Sequence, residues 1–203
     1  MSERKAIIVR TTEQAEVKIA LDLEGYGLGT VQTDFPFLNH MLTLFARHGG
    51  FDLDVQCRAG EEGPHNLMEE VGFCLGLALD KALGDKKGIF RSGHCCAPVE
   101  DHLARAVVEI SGHSCLVYRV HMPMPLHVGT DAFELEEFWR AFVGQAHLNL
   151  HIELLYGSGG SPSCEAIFKA AARALSDACS TQHRHQVPPN PAAKISKTKR
   201  DLR

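Results

Sequence analysis

The sequence predicts an α+β protein built from two duplicated halves, each a β-sheet layer packed on a helix layer, together forming one layered sandwich. Three observations carry that reading. The stretch TDFPFLNHMLTLFARHGGFDLDVQCRAG recurs 97 positions later as TDAFELEEFWRAFVGQAHLNLHIELLYG, so that Leu38 returns as Leu135, Phe45 as Phe142, Leu53 as Leu150 and Gly60 as Gly157. Segments in which apolar residues alternate are separate from segments in which they recur every three or four residues. Finally, 203 residues that are 44% hydrophobic can bury a sizeable core, and 23% charged residues is ordinary for a globular protein.

In the first half, AEVKIALDL alternates Val17, Ile19, Leu21 and Leu23 toward one face, the pattern of a half-buried strand. Phe37, Leu38, Met41, Leu42, Leu44 and Phe45 then fall at helical spacing, and Gly49-Gly50 supplies a stop. FDLDVQC returns to alternation through Phe51, Leu53 and Val55, and residues 69–83 form a second amphipathic helix ended by Gly84. The second half repeats the order. ARAVVEISG and SCLVYRVHM read as strands, residues 132–147 as a helix, LNLHIELLY as a strand and residues 163–179 as a final helix. The halves are residues 1–92 and 93–180. They share one core, because the joining segment GDKKGIFRSGHCCAPVED is short and lacks the biased composition of a linker. Residues 181–203 are polar, proline-bearing and basic, and are expected to form a mobile tail.

A net charge of −4 and a pI near 6.3 provide no general attraction to nucleic acid or to an anionic membrane. No apolar run is long enough to span a bilayer and the N-terminus lacks a signal-peptide pattern, so a cytoplasmic location is expected. Seven cysteines without any CxxC spacing read as free thiols in a reducing compartment rather than a zinc site. Twelve histidines is a high number, and histidine is the commonest metal ligand.

The strings FLNHML and ARHGGFDL, the helix EEVGFCLGLALDKALGDKKGI followed by Arg91, the strand LARAVVEISG and the run LHIELLYG…EAIFKAAARAL resemble the imidazoleglycerol-phosphate dehydratase family from about Arg10 to Leu202. The resemblance implies the ribosomal S5 domain 2-like form of the α+β sandwich. It also implies a large symmetric homo-oligomer with metal sites at subunit contacts, and dehydration of imidazole glycerol phosphate in histidine biosynthesis with two manganese ions. That chemistry removes a barely acidic carbon-bound proton. Divalent metals held by imidazoles and carboxylates can stabilise the anionic ring while a carboxylate acts as base.

Carried over position by position, the resemblance implies His40, His65, Glu69, His151 and Glu165 as metal ligands, with Glu69 and Glu165 also catalytic. Arg91, Lys169 and Lys199 are implied as phosphate contacts. The expected partner is a small phosphorylated imidazole substrate, with no nucleic acid and no membrane. The sequence departs from the family pattern at several places. Its two HHxxE motifs, whose spacing sets ligands on one helical face, read His65-Asn66…Glu69 and Ser161-Pro162…Glu165. Asn39 precedes His40, Gln14 replaces an expected acid–base carboxylate, His113 replaces an arginine, and the C-terminal loop reads Lys197-Thr198-Lys199-Arg200. Three readings follow: a dehydratase in which residues such as His48, His94 or Glu62 take over missing roles, a non-catalytic subunit, or a protein turned to another phosphorylated ligand.

Overall fold

A computed structural model of the chain describes residues 4–60, 67–122 and 132–181. The first half comprises β1 (Lys5–Thr11), β2 (Ala15–Asp22), β3 (Val31–Thr33), α1 (Pro36–Gly49), β4 (Asp52–Ala59) and α2 (Leu67–Leu83). The second comprises β5 (Ser92–Val99), β6 (His102–Glu109), β7 (Cys115–Arg119), α3 (Ala132–Ala146), β8 (Asn149–Tyr156) and α4 (Gly160–Cys179). Each half forms a four-stranded sheet, ordered β1-β2-β4-β3 and β5-β6-β8-β7. The first three strands of each order pair antiparallel, whereas β3 on β4 and β7 on β8 are parallel.

This matching topology establishes the duplication and the α+β class. The offset changes along the chain. β4 recurs as β8 at 97 positions, but β1 and β2 recur as β5 and β6 at 87. The extra length of the second half falls between its third strand and its first helix, a stretch that includes residues 123–131, outside the described residues. The tail expected at 181–203 lies outside them too, except for Thr181.

Val17, Ile19 and Leu21 of β2 and Leu53 and Val55 of β4 point inward and are buried, as period-two alternation requires. The helices cover those inner faces and then pack on one another across the halves, α1 along α4 and α2 along α3. Phe45 of α1 lies 6.4 Å from Trp139 of α3, which lies 4.8 Å from Phe168 of α4. These aromatic rings tie both halves into one core.

Two positions show how closely the layers approach. A Cβ added to Gly72 or Gly76 of α2 would sit 2.3 Å from the carbonyl oxygen of Phe138 or Phe142 in α3, so only glycine lets these helix backbones touch. The close helix packing positions the side chains at its edges. No helix among the described residues is long and apolar enough to cross a membrane.

Candidate functional site

The α1–α4 packing unites candidate residues that lie 125 positions apart. His40 of α1 places Nε2 3.3 Å from Glu165 Oε1 on α4. Lys169, one turn along α4, places Nζ 3.8 Å from the other carboxylate oxygen. Residues 165, 169 and 173 share one helical stripe. That stripe ends with the Arg173 guanidinium, which is 3.4 Å from Nδ1 of His48 on α1. Burial and the nearby charges of Arg173, Lys169 and Arg47 push His48 below the ordinary histidine range, so its neutral ring can accept from Arg173. Arg173 was not among the residues inferred from sequence. Its four-residue spacing from Lys169 is the signal that finds it.

The remaining candidates stand elsewhere. His151 of β8 faces outward from the second sheet, between Val107 of β6 and Val117 of β7. It borders a hollow of about 670 Å³ that is also lined by His94, Arg105, Arg119 and Glu153, with Arg105 and Glu153 paired. Glu69 is exposed in the first turn of α2. Its neighbour Glu70 holds Arg10 of β1 at 2.9 Å, and the Arg10 guanidinium also lies 4.3 Å above the Phe73 ring, fixing this turn against the sheet.

Arg91, with φ 70°, spends its guanidinium on the carbonyls of Lys86 and Ile110. Its amide binds Ala178 O, nine residues beyond Lys169, or roughly 13 Å along the helix at 1.5 Å per residue. Gln14 is half-buried, and its carbonyl accepts the Gly60 amide at 2.7 Å. The β1–β2 turn thus lies beside the strand end that leads toward residue 65. Glu13, its neighbour, is exposed, and so is His113. His65 and Lys199 lie outside the described residues, as do Glu62, Lys197 and Arg200.

Among the described residues no three His, Cys, Asp or Glu side chains converge as a metal cluster would require. His40 and Glu165 supply one imidazole and one carboxylate, and Lys169 already approaches the carboxylate's second oxygen. Manganese prefers about six oxygen-rich ligands. The donors that one chain gathers in its described part do not meet that demand.

A sequence profile of imidazoleglycerol-phosphate dehydratase matches residues 33–175, well over half of the chain. The chain belongs to the imidazoleglycerol-phosphate dehydratase family. It is 43% identical over 180 residues to the imidazoleglycerol-phosphate dehydratase of Pelotomaculum thermopropionicum, covering 88% of this chain and 92% of that protein. It is 38% identical over 203 residues to the enzyme of that name from Acinetobacter baylyi, covering 100% and 98%. The crystal structure of imidazoleglycerol-phosphate dehydratase from Staphylococcus aureus is similar at a TM-score of 0.78 and 33% identity, covering 87% of this chain and 99% of that one. The Pyrococcus furiosus structure, in complex with (S)-C348, gives 0.76 and 26%, covering 87% and 96%.

Proposed function

We propose that the chain acts on imidazole glycerol phosphate as a dehydratase-type hydro-lyase of histidine biosynthesis. We further propose a turnover at least about 10²-fold below that of a relative with both HHxxE motifs complete. The observation supporting this reading is the α1–α4 contact, which holds the Glu165 carboxylate between an imidazole and an ammonium group. In this reading Glu165 exchanges a proton with His40 Nε2, 3.3 Å away. Lys169 offers a cation to a phosphate ester beside it.

The reduced rate follows from what the other positions lack. An amide at Gln14 cannot serve as a general base, and loss of one such group lowers a rate roughly 10²- to 10⁴-fold. Among the described candidate residues one chain brings together only His40 and Glu165 as metal donors. Copies of the chain assemble in this reading, bringing one copy's His151 and Arg91 to another copy's His40 and Glu165. A specific observation favours a second reading, a non-catalytic subunit: Ser161 and Pro162 open α4 where the family pattern has two imidazoles.

A dehydration assay with manganese analysis of the same purified protein tests both. Slow turnover with fewer than two manganese ions per chain is the expected result. Turnover matching a relative's, with two manganese per chain, would overturn the reduced-rate proposal. Substrate binding without turnover would establish the non-catalytic subunit instead.

A further inference from the structure

We propose that the junction between β8 and α4, residues 157–163, is a binding site for a phosphate group. Its donors differ from the Lys169 cation considered above, and the proposal does not depend on dehydratase activity. The sequence there is Gly157-Ser158-Gly159-Gly160-Ser161-Pro162-Ser163, a strand end, a glycine-rich loop and the first turn of a 20-residue helix. Gly157, Gly159 and Gly160 have φ of 145°, 96° and 76°, conformations that side-chain-bearing residues rarely adopt. The N-cap Gly159 offers no side chain to cap the helix. The amides of Gly159, Gly160 and Ser161 therefore lack both a capping oxygen and an intrahelical carbonyl, while Pro162 has no amide hydrogen to satisfy. Free amides at the positive end of a long helix, with no Cβ on the glycines in front of them, suit an oxyanion.

A second and independent observation points to a ligand. Ser163 is 0% exposed, and its hydroxyl has no hydrogen-bond partner among the described residues. Helical side chains lean toward the N-terminus. Ser163 Oγ accordingly lies 3.1 Å from where a Cβ on Gly157 would stand, against the first glycine of the loop. The same missing Cβ would lie 2.4 Å from Cδ2 of His102, a ring that is 5% exposed.

His102 Nε2 is 3.5 Å from the exposed Ser158 hydroxyl. Its Nδ1 is 2.9 Å from Asp101 Oδ1 but is poorly directed for a hydrogen bond. Asp101 thus lies beside Nδ1, while the serine lies at Nε2. Amide and hydroxyl donors with one imidazole select a negatively charged oxygen ligand rather than a metal cation. Ser161 and Lys169 are eight residues apart, roughly 12 Å along the helix, so this junction and the Lys169 cation are separate positions.

The test is calorimetric titration of inorganic phosphate and of glycerol 3-phosphate into the full-length chain and its Ser161→Asp, Ser163→Ala and Lys169→Ala variants. An aspartate in the first helical turn favours the helix electrostatically, so Ser161→Asp keeps the fold while placing a carboxylate at the anion position. The expected result is that Ser161→Asp weakens phosphate at least tenfold and Ser163→Ala about threefold or more, with Lys169→Ala retaining this binding. Affinity unchanged in both serine variants but lost in Lys169→Ala would overturn the proposal and leave the Lys169 reading intact. Glycerol 3-phosphate should bind at least as well as the inorganic ion, because the junction opens at exposed Ser158. Binding of the inorganic ion alone would mark an adventitious ion only and overturn the assignment to a phosphorylated ligand.

Discussion

Single residues already constrain how this protein meets acid and thiol reagents. His48 is held below the ordinary histidine range by burial and by Arg173, Lys169 and Arg47 around it, while Glu165, the acid on the facing helix, is engaged by His40 and Lys169. A lowered value means that the unfolded chain binds the proton more readily. The stability this group contributes is therefore present above the ordinary range and lost as pH falls through the lowered value. His48→Asn is expected to flatten the loss of thermal stability on acidification, measured as Tm against pH from neutrality downward. An unchanged pH slope would refute that role. The thiols divide just as clearly. Burial pushes Cys74 up to about 11 and Cys57, Cys164 and Cys179 up to about 12, whereas Cys96 and Cys115 are exposed and Cys95 half-buried. Because the thiolate is the reactive form, a native titration with a disulfide reagent at pH 8 should modify three thiols at most, and the other four only after denaturation.

Elements are where the close approaches of the fold have their cost and where the limits of sequence reading become physical. At Gly76 an added methyl group would meet Phe142 O at 2.3 Å and Ala146 N at 3.1 Å, both backbone atoms that cannot swing aside. Gly76→Ala should therefore cost about 1–3 kcal/mol despite alanine's better helix propensity, read as a lower denaturation midpoint at unchanged m-value. Helices α1 and α2 and strands β2 and β4 were legible because each buries large side chains at a clean period. Strands β1, β3 and β5 were not. β3 has only three residues, too few to show a period. β5 buries Gly93 and Ala97 instead of branched residues, because α4 presses its backbone onto the strand: a Cβ on Gly93 would lie 2.1 Å from Ala174 O. Helix α4 begins at Gly160 rather than at 163, since Pro162 is tolerated in a first turn. Among the candidate residues, the α1–α4 packing brings His40, Glu165 and Lys169 together. Sequence order could not reveal that Arg91 is spent on carbonyls or that His151 faces the opposite side of a sheet.

The whole molecule spreads its described candidate groups over separate surfaces. His40, Glu165 and Lys169 lie where helices of the two halves meet, His151 lies on the outer face of the second sheet, and Arg91 lies at the far end of α4. The sheet faces also leave large apolar side chains in water, with Ile7 67% and Val9 62% exposed on the first sheet and Tyr156 60% exposed on the second. Burying apolar area of this kind is a driving force for association. Light scattering is therefore expected to give a mass that is a multiple of the 22.3 kDa chain, and Ile7→Lys with Val9→Lys should shift it toward the monomer. If copies also share a site, subunits with different defects can complement one another. His151→Ala and Glu165→Gln are each expected to lose most activity alone. When equal amounts are unfolded and reassembled together, random pairing across a two-copy contact restores about a quarter of the sites, because one copy can lend His151 and the other Glu165. Recovery near that fraction would place the groups of one site on different copies. No recovery from mixtures that assemble normally would rule out a site shared between copies.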